Sequence, residues 1–194
     1  MDANKIEALK KLIEKNGIVF RKVILSSGKK SDYYYDLRKM CLDPKAIHLI
    51  ADLLLEKIIL KYGKIKSVGG LANGAIPLIT AIVLKSSSNG GDIAGFFVRK
   101  ERKPHGLQKI IEGKILEPVV ILDDVITTGR SVRLAIDAVR EEGYSVKGVA
   151  TVIDREENNK QKHASKPTSL FRHSDFKQFI AEQIKRKKRT KTRV

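Results

Sequence analysis

The feature that most constrains this chain is an unbroken apolar run that stops at two carboxylates. Val119 to Leu122 lead directly into Asp123 and Asp124. An apolar run of this length is typical of a strand that is buried on both faces, as in a parallel sheet. A short polar segment follows the acids, and a helical pattern follows that segment. We therefore predict a strand, a loop and a helix in this order.

The polar segment after the acids predicts an anion site. A loop at the carboxyl end of a strand, followed by a helix N-terminus, presents unpaired amides to a phosphate. Thr127, Thr128 and Ser131 add hydroxyl donors, and Gly129 allows a close approach of the backbone. The acids would repel a phosphate unless they face sugar hydroxyls or a magnesium ion. A ligand with a phosphate at one end and a diol in the middle fits; a simple helix cap beside a surface acid is the alternative.

The stretch from Val119 to Ser131 resembles the phosphoribosyl pyrophosphate (PRPP) signature of type I phosphoribosyltransferases. In that family the acids hold the ribose hydroxyls and the following loop surrounds the 5′-phosphate. The resemblance implies that Asp123 and Asp124 bind PRPP and take part in catalysis. It also implies PRPP contacts from the residues that follow the acids: Val125, Ile126, Thr127, Thr128, Gly129, Arg130 and Ser131. The Walker A spacing is absent, which disfavours a generic nucleoside triphosphatase.

A second strand and glycine-rich loop precede this motif. Ile65 to Val68 predict a short strand, and Gly69 to Pro77 predict a loop that opens a helix. Two such loops can hold the two ends of one ligand. The loop resembles the family's pyrophosphate loop, which implies PRPP contacts from Ala72 and Asn73. Asn73 stands where bacterial relatives often carry a lysine, and so does Ser26, whose counterpart in many bacterial members contacts PRPP.

A basic segment follows the strand predicted at residues 93–98. Such a run is usually a solvated loop, but here it resembles the family's catalytic loop, R-K-x-x-K-x-H-G. The resemblance implies PRPP contacts from Arg99, Lys100, Lys103 and His105, with Lys103 and His105 also catalytic. In that family the loop is a mobile lid that closes over the active site of the neighbouring subunit. The resemblance therefore implies a homodimer.

Three adjacent tyrosines at positions 33–35 cannot all face a core, because strand side chains alternate. At least one ring is available to stack on a planar ligand; one tyrosine in the core and two at the surface is the alternative. The segment from Ser27 to Asp36 resembles the N-terminal motif of orotate phosphoribosyltransferases. That match implies orotate contacts from Tyr34, Tyr35, Thr127 and Arg155.

The amino-acid composition limits which cellular compartment and which binding partners are expected. Cys41 is the single cysteine, so no intrachain disulfide can form, and a reducing compartment is expected. We find no signal-like N-terminus and no apolar run long enough for a membrane span, and we expect a cytoplasmic protein without a membrane partner. The net charge is +17, and residues 185–193 hold seven basic residues and no acid. A polyanionic small substrate or nucleic acid would each explain this charge.

Together these patterns predict an α/β protein of the type I phosphoribosyltransferase fold, with a central, mostly parallel sheet flanked by helices. We expect one domain over residues 1–184, whose first 40 residues or so form a small hood, and a basic, disordered tail over residues 185–194.

The resemblance implies that orotate and PRPP react to give orotidine 5′-monophosphate and pyrophosphate in pyrimidine (UMP) biosynthesis. It implies Mg²⁺ as the cofactor, held mainly by PRPP and water and not directly by the protein. One alternative is a phosphoribosyltransferase for a purine base, which the tyrosines and Arg155 disfavour. The other is a non-catalytic, PRPP-sensing regulator that binds nucleic acid, which the intact lid motif disfavours. We accordingly do not expect nucleic acid as a partner.

Overall fold

The fold is described from a computed structural model for residues 1–25, 28–101, 110–157 and 167–191. Six α-helices lie in these ranges: α1 Ala3–Leu12, α2 Leu37–Cys41, α3 Pro44–Tyr62, α4 Ile76–Ser88, α5 Arg130–Glu141 and α6 Lys177–Lys191. A π-helical turn, Ile13–Gly17, extends α1, and a 3₁₀ turn, His173–Phe176, leads into α6. None of the described helices has the length and hydropathy that crossing a membrane requires.

A central sheet of six strands organises the described residues. Its members are β5 Ser67–Leu71, β6 Ala94–Val98, β7 Ile111–Gly113, β8 Val119–Ile126, β9 Val146–Asp154 and β10 Thr168–Arg172. The strand order is β10-β9-β8-β5-β6-β7, and every pair is parallel except β6 with β7. The predicted α/β fold with a mostly parallel sheet is confirmed. Its carboxyl-terminal edge gathers the loops that follow β5, β8 and β9.

Helices cover both faces of this sheet, as the apolar run in β8 predicts. Val120 and Leu122 face one core, which is formed with α1, α2, α3, α4 and α6. Val119 and Ile121 face the other, which is formed mainly with α5. Because strand side chains alternate, a strand between two helical layers must be apolar at every position.

Local sequence signals set the bounds of α3. The carboxylate of Asp43 caps the helix by accepting hydrogen bonds from the amides of Lys45 (3.1 Å) and Ala46 (2.8 Å). Pro44 occupies the first turn, where a missing N–H costs nothing. The helix stops at Gly63, whose φ of +69° ends it.

Two predicted boundaries at the sheet edge are wrong. Strand β8 continues through Ile126, so the two acids lie inside its last half and not after it. Its register with β9 persists to the pair Ile126–Asp154, which keeps the backbone extended. Gly69 and Gly70 belong to β5 and not to the following loop. A side chain at Gly69 would collide with the ring of Phe96, so close packing requires the glycine.

Short strands lie near the N-terminus, and the C-terminal end differs from the predicted pattern. Residues 18–25 contain β1 Ile18–Val19 and β2 Val23–Ile24. These pair antiparallel with β4 Tyr34–Tyr35 and β3 Lys30–Ser31, respectively. Helix α6 continues to Lys191, where the sequence predicted a disordered tail from residue 185. Lysine, arginine and glutamine are good helix formers, and basic residues near the C-terminus complement the helix dipole. Residues 192–194 lie outside the described part.

Gly70 lets β5 approach β8 beside the acids, and we expect its replacement by alanine to be costly. The new methyl group would collide with the carbonyl of Leu122 and lie 2.5 Å from the Cβ of Ala75. Because the Leu122 obstacle is backbone, Gly70→Ala should lower the free energy of unfolding by about 3 kcal/mol. Urea denaturation measures this. Gly90→Ala is the control: Gly90 has a φ of +76° but open space around it, so a cost of about 1 kcal/mol is expected. Equal costs for the two variants would contradict the collision.

Candidate active site

The carboxyl-terminal edge of the sheet opens into a cleft of about 370 Å³. Segments from five parts of the sequence meet there. The predicted site residues that line it are Tyr34, Tyr35, Ala72, Asn73, Lys100, Asp123, Asp124, Val125, Thr127, Ser131 and Arg155. Parallel strands place their carboxyl ends at one edge, which is why motifs far apart in sequence converge.

The acid pair lies deep in this cleft. Asp123 is only 9% exposed, and its oxygen Oδ1 accepts a hydrogen bond from the amide of Asp124 at 3.1 Å. The amide of Val125 donates to Asp124 Oδ1 at 2.9 Å. Burial raises the pKa of Asp123 well above its usual range, and the neighbouring Asp124 raises it further. Burial also raises the pKa of Asp124. Two fixed carboxylates of this kind can accept hydrogen bonds from a diol or lie against a cation.

The two loops predicted to bind phosphate groups, one after β5 and one after β8, lie beside the acid pair. An ideal Cβ at Gly74, in the loop after β5, would lie 3.1 Å from Asp124 Oδ1, so the glycine keeps that loop close. The Ala72–Asn73 peptide bond in the same loop is cis. After β8 the chain turns at Gly129, with a φ of +71°, and α5 begins at Arg130. The N-cap residue of α5 is Gly129, which has no side chain to cap the helix, so the first amides of α5 can face an anion.

The predicted PRPP loop is only partly in the cleft. Val125, Thr127 and Ser131 line it, whereas Thr128, Gly129 and Arg130 are outside its lining. Ile126 is buried, and its carbonyl accepts a hydrogen bond from the amide of Arg155 at 2.9 Å. This bond ties the end of β8 to the residue that follows β9.

Of the predicted basic segment, the structure describes the beginning. Lys100 is exposed and lines the cleft. Arg99 Nη1 lies 3.4 Å from Glu112 Oε1 on β7 and does not reach the cleft. Lys103 and His105 lie outside the described residues, as does Ser26.

The three tyrosines have three different surroundings. Tyr35 is 2% exposed and belongs to the main core, so one ring of the three is structural. Tyr34 is half-buried and lines the cleft. Tyr33 stacks in parallel on His173, with ring centroids 5.6 Å apart. Tyr34 and Tyr35 therefore both line the cleft, but only Tyr35 is also buried in the core.

Arg155 is held firmly at the cleft wall. It is 5% exposed, and its Nε lies 2.9 Å from Glu157 Oε1. Its Nη2 donates to the hydroxyl of Tyr33 at 3.3 Å, and its guanidinium lies 5.1 Å from the centre of that ring. A guanidinium fixed by an ion pair and an aromatic ring can present its edge to a carboxylate.

Comparison with known proteins explains this set of residues. Residues 40–183 match the model of the phosphoribosyl transferase domain family. Over 162 residues the chain is 44% identical to the orotate phosphoribosyltransferase of Corynebacterium glutamicum, covering 80% of this chain and 85% of that protein. The chain belongs to the orotate phosphoribosyltransferase family. The family predicted from the sequence motifs is confirmed.

Solved phosphoribosyltransferases share the fold. A phosphoribosyltransferase from Corynebacterium diphtheriae is 33% identical, with a TM-score of 0.75 over 89% of this chain and 98% of that one. The orotate phosphoribosyltransferase of Mycobacterium tuberculosis in complex with PRPP is 32% identical, with a TM-score of 0.69 over 88% and 98% of the two chains. The sheet and cleft described above are thus those of a type I phosphoribosyltransferase.

Sequence reasoning missed Arg38, which lines this orotate phosphoribosyltransferase cleft, and His173, which contacts two of the tyrosines beside it. Arg38 lies on α2. Burial raises the pKa of Asp124, and the charge of Arg38 acts in the opposite direction. His173 supports the aromatic wall of the cleft, which Tyr34 and Tyr35 form: its Nδ1 lies 3.0 Å from the Tyr35 hydroxyl, and burial, assisted by Arg155, lowers the pKa of His173. Arg38 follows the tyrosine motif closely, but nothing in its local pattern marks it as a cleft residue.

Proposed function

We propose that this chain transfers the phosphoribosyl group of PRPP to orotate, giving orotidine 5′-monophosphate and pyrophosphate for pyrimidine synthesis. The observation that carries the proposal is the single cleft that joins the acid pair, the α5 N-terminal loop and Arg155. A diol site, a phosphate site and a carboxylate site there match the three polar parts of the two substrates. The relatives named orotate phosphoribosyltransferase support the same substrate pair.

The reaction requires departure of pyrophosphate from the sugar C1 through a cationic, oxocarbenium-like state. Catalysis then depends on holding the two substrates in line and on stabilising the charge that develops. We assign Asp123 and Asp124 to the ribose hydroxyls, which would fix the sugar ring. The 5′-phosphate would bind to the amides and hydroxyls of the segment from Val125 to Ser131, in which Thr127 and Ser131 reach the cleft.

The orotate end of the cleft is assigned to Arg155 and the aromatic wall. Arg155 would make a two-pronged contact to the orotate carboxylate, and Thr127 would add a hydrogen bond. Tyr34 would pack against the pyrimidine ring, while the buried Tyr35 would support it from behind. A carboxylate-binding guanidinium favours orotate over a purine base, which carries no such group.

The pyrophosphate end is assigned to the loop after β5 and to the basic segment. Ala72, Asn73 and Lys100 line the cleft beside the acids. Arg99 would have to leave Glu112 to reach the leaving group. We propose that Lys103 stabilises the developing pyrophosphate charge and that His105 binds pyrophosphate or transfers a proton to it, as the family motif implies.

The acid pair fits the Mg²⁺ that the family implies. No group of three or more acidic, histidine or cysteine side chains that could hold a metal occurs among the described residues. Mg²⁺ is commonly held by one or two carboxylates together with substrate phosphates and water. We propose that PRPP and water hold the ion, with Asp123 and Asp124 nearest to it. When bound, it would neutralise charge on the pyrophosphate.

We propose further that residues 1–184 act as one catalytic unit in a cytoplasmic homodimer with shared active sites. The main core supports the unit, since it contains Leu9 from α1 and Ile180 from α6. Shared sites would be tested by mixing two inactive variants, Lys103→Ala and Asp124→Asn. Subunit exchange should restore up to about a quarter of the activity if one subunit supplies Lys103 to the other's acids. No recovery after demonstrated exchange would contradict sharing.

Lys103→Ala should lower turnover at least about 100-fold while changing the affinity for orotate much less. Lys103 is assigned to charge that appears only as pyrophosphate leaves, so its loss affects the transition state and not the bound base. Steady-state kinetics with saturating PRPP give turnover, and equilibrium dialysis gives orotate affinity. Lys147→Ala, which removes an exposed lysine on β9, is the control. Unchanged turnover in Lys103→Ala would refute the assignment.

The function itself is tested by following orotate loss through its ultraviolet absorbance. Orotate should disappear only when both PRPP and Mg²⁺ are present. Adenine, uracil and hypoxanthine serve as competing bases, and none should react at a comparable rate. Preferential reaction of a purine would replace orotate as the substrate. PRPP binding without turnover of any base would favour the non-catalytic regulator.

A further inference from the structure

The catalytic cleft does not account for the basic surface of α6. Lys185 to Arg189 are five consecutive basic residues, and all five are exposed on α6. None of them lines the cleft. Consecutive residues of a helix point about 100° apart, so the charges surround the helix instead of forming one stripe. Glu182 is the only acid in α6.

Helix α6 packs beside a second basic segment, near the N-terminus. Lys187 Nζ donates to the carbonyl of Phe20 at 2.8 Å and lies 5.7 Å from the centre of its ring. The rings of Phe20 and Phe179 lie 6.2 Å apart, which fixes α6 beside the N-terminal strands. Arg21 and Lys22, both exposed, follow Phe20 directly. We call Arg21, Lys22 and Lys185–Arg189 together the α6 basic surface.

We propose that the α6 basic surface binds the phosphate backbone of a nucleic-acid duplex without reading its sequence. Seven lysines and arginines supply the positive charge that a phosphate backbone attracts. An arginine- and lysine-rich helix can follow a line of phosphates, because its side chains donate hydrogen bonds on several sides. This binding would exist beside the transferase activity, and it departs from the expectation that nucleic acid is not a partner.

Two properties of the α6 basic surface favour a duplex over other polyanions. A helix that binds anionic lipid needs an exposed apolar face, but Ile180 is buried in the main core, and Phe179 and Ile184 pack against that core. Single strands are usually bound through stacking on exposed aromatic rings. The two rings where α6 meets the N-terminal strands, Phe20 and Phe179, are half-buried against the main core, and Lys187 lies over Phe20.

The test compares two full-length variants that each lose four positive charges. One carries Lys185→Gln, Arg186→Gln, Lys188→Gln and Arg189→Gln, which keeps helix-forming residues and the Lys187 contact. The control carries glutamine at four exposed lysines elsewhere in the described chain: Lys45, Lys61, Lys114 and Lys147. The probe is a fluorescein-labelled DNA duplex of mixed sequence, about two helical turns long. Fluorescence anisotropy measures its affinity across a series of salt concentrations.

The native chain should bind this duplex with a log–log salt slope of about −4, as about four phosphate contacts predict. Duplexes of unrelated sequence should bind equally. The α6 variant should bind at least about tenfold more weakly with a shallower slope, while the control variant stays within about threefold of the native affinity. Circular dichroism should show unchanged helix content, and transferase activity should be unchanged in both variants.

Four results would overturn the proposal. The first is equal weakening in both variants, which would mean a response to net charge alone. The second is tighter binding to phosphatidylglycerol vesicles, to a single strand or to polyglutamate than to the duplex. The third is displacement of the duplex by PRPP with Mg²⁺, which would place the duplex in the catalytic cleft. The fourth is the absence of duplex binding by the native chain at low salt.

Discussion

Asp123→Asn is expected to remove most of the transferase activity while making the ligand-free protein more stable at neutral pH. Asparagine has nearly the same shape and keeps an oxygen that can accept the hydrogen bond of the Asp124 amide. It lacks the negative charge that, under the proposed function, would stabilise a cationic sugar and a nearby metal ion. We expect kcat/KM for PRPP to fall at least about 100-fold.

The gain in stability follows from the raised pKa of Asp123, which burial causes and Asp124 increases. A carboxyl with a raised pKa binds its proton more tightly in the folded state than in the unfolded state, where the usual value of 3.8 applies. The free energy of unfolding therefore falls as pH rises from about 3.8 through the raised pKa. The amide of the Asp123→Asn variant does not ionise, so this position no longer lowers the free energy of unfolding as pH rises. The variant should gain stability in this window and lose its advantage below it.

Thermal denaturation from pH 3 to pH 8 measures the gain in stability at neutral pH and its loss at low pH. Asp92→Asn is the matched control. Asp92 is exposed and pairs with Lys66 at 2.5 Å, and this contact lowers its pKa. Its stabilising effect exists above the usual carboxyl pKa and is lost as pH falls, so the control should show no gain at neutral pH. A destabilised Asp123→Asn protein at neutral pH would contradict the view that function keeps a costly charge in this cleft.

The sequence motifs predicted correctly that distant segments meet in one cleft, but they predicted less well where the strands end. The buried run at β8 indicated a parallel strand, and parallel strands bring their carboxyl ends together. Val125, Thr127 and Ser131 consequently share one cleft with Ala72 and Arg155. The strand end was misplaced because a carboxylate is unusual within a strand. Only the pairing with β9 shows that the extended backbone continues to Ile126.

Long-range side-chain contacts were beyond the reach of sequence patterns. Tyr33 and His173 are 140 residues apart, and neither position has a local signal for the other. Arg38 looks like an ordinary exposed helix residue, and only the packing of α2 places it beside the acid pair. Periodicity reports which face of an element is buried. It does not report which polar side chains meet across elements.

Arg155→Lys is expected to raise the KM for orotate about 10- to 100-fold while changing the KM for PRPP little. Lysine keeps the charge but loses the planar fork that grips a carboxylate at two points. Loss of one charge-assisted hydrogen bond is worth about 1.5–3 kcal/mol, which gives this range. Initial rates at varied orotate and saturating PRPP measure the first KM, and the reverse design measures the second.

Glu157→Gln distinguishes recognition of orotate from support of the fold. Arg155 is 5% exposed, so its ion pair with Glu157 could serve stability alone. Glutamine at position 157 removes the charge of the partner and leaves the guanidinium in place against Tyr33. We expect this control to lower thermal stability while the KM for orotate changes less than about threefold. If Arg155→Lys also lowered stability and left the KM for orotate unchanged, Arg155 would be a structural residue and the carboxylate would bind elsewhere in the cleft. Arg38 and Lys100 are the other basic side chains on the described cleft wall, and they would be the next to replace.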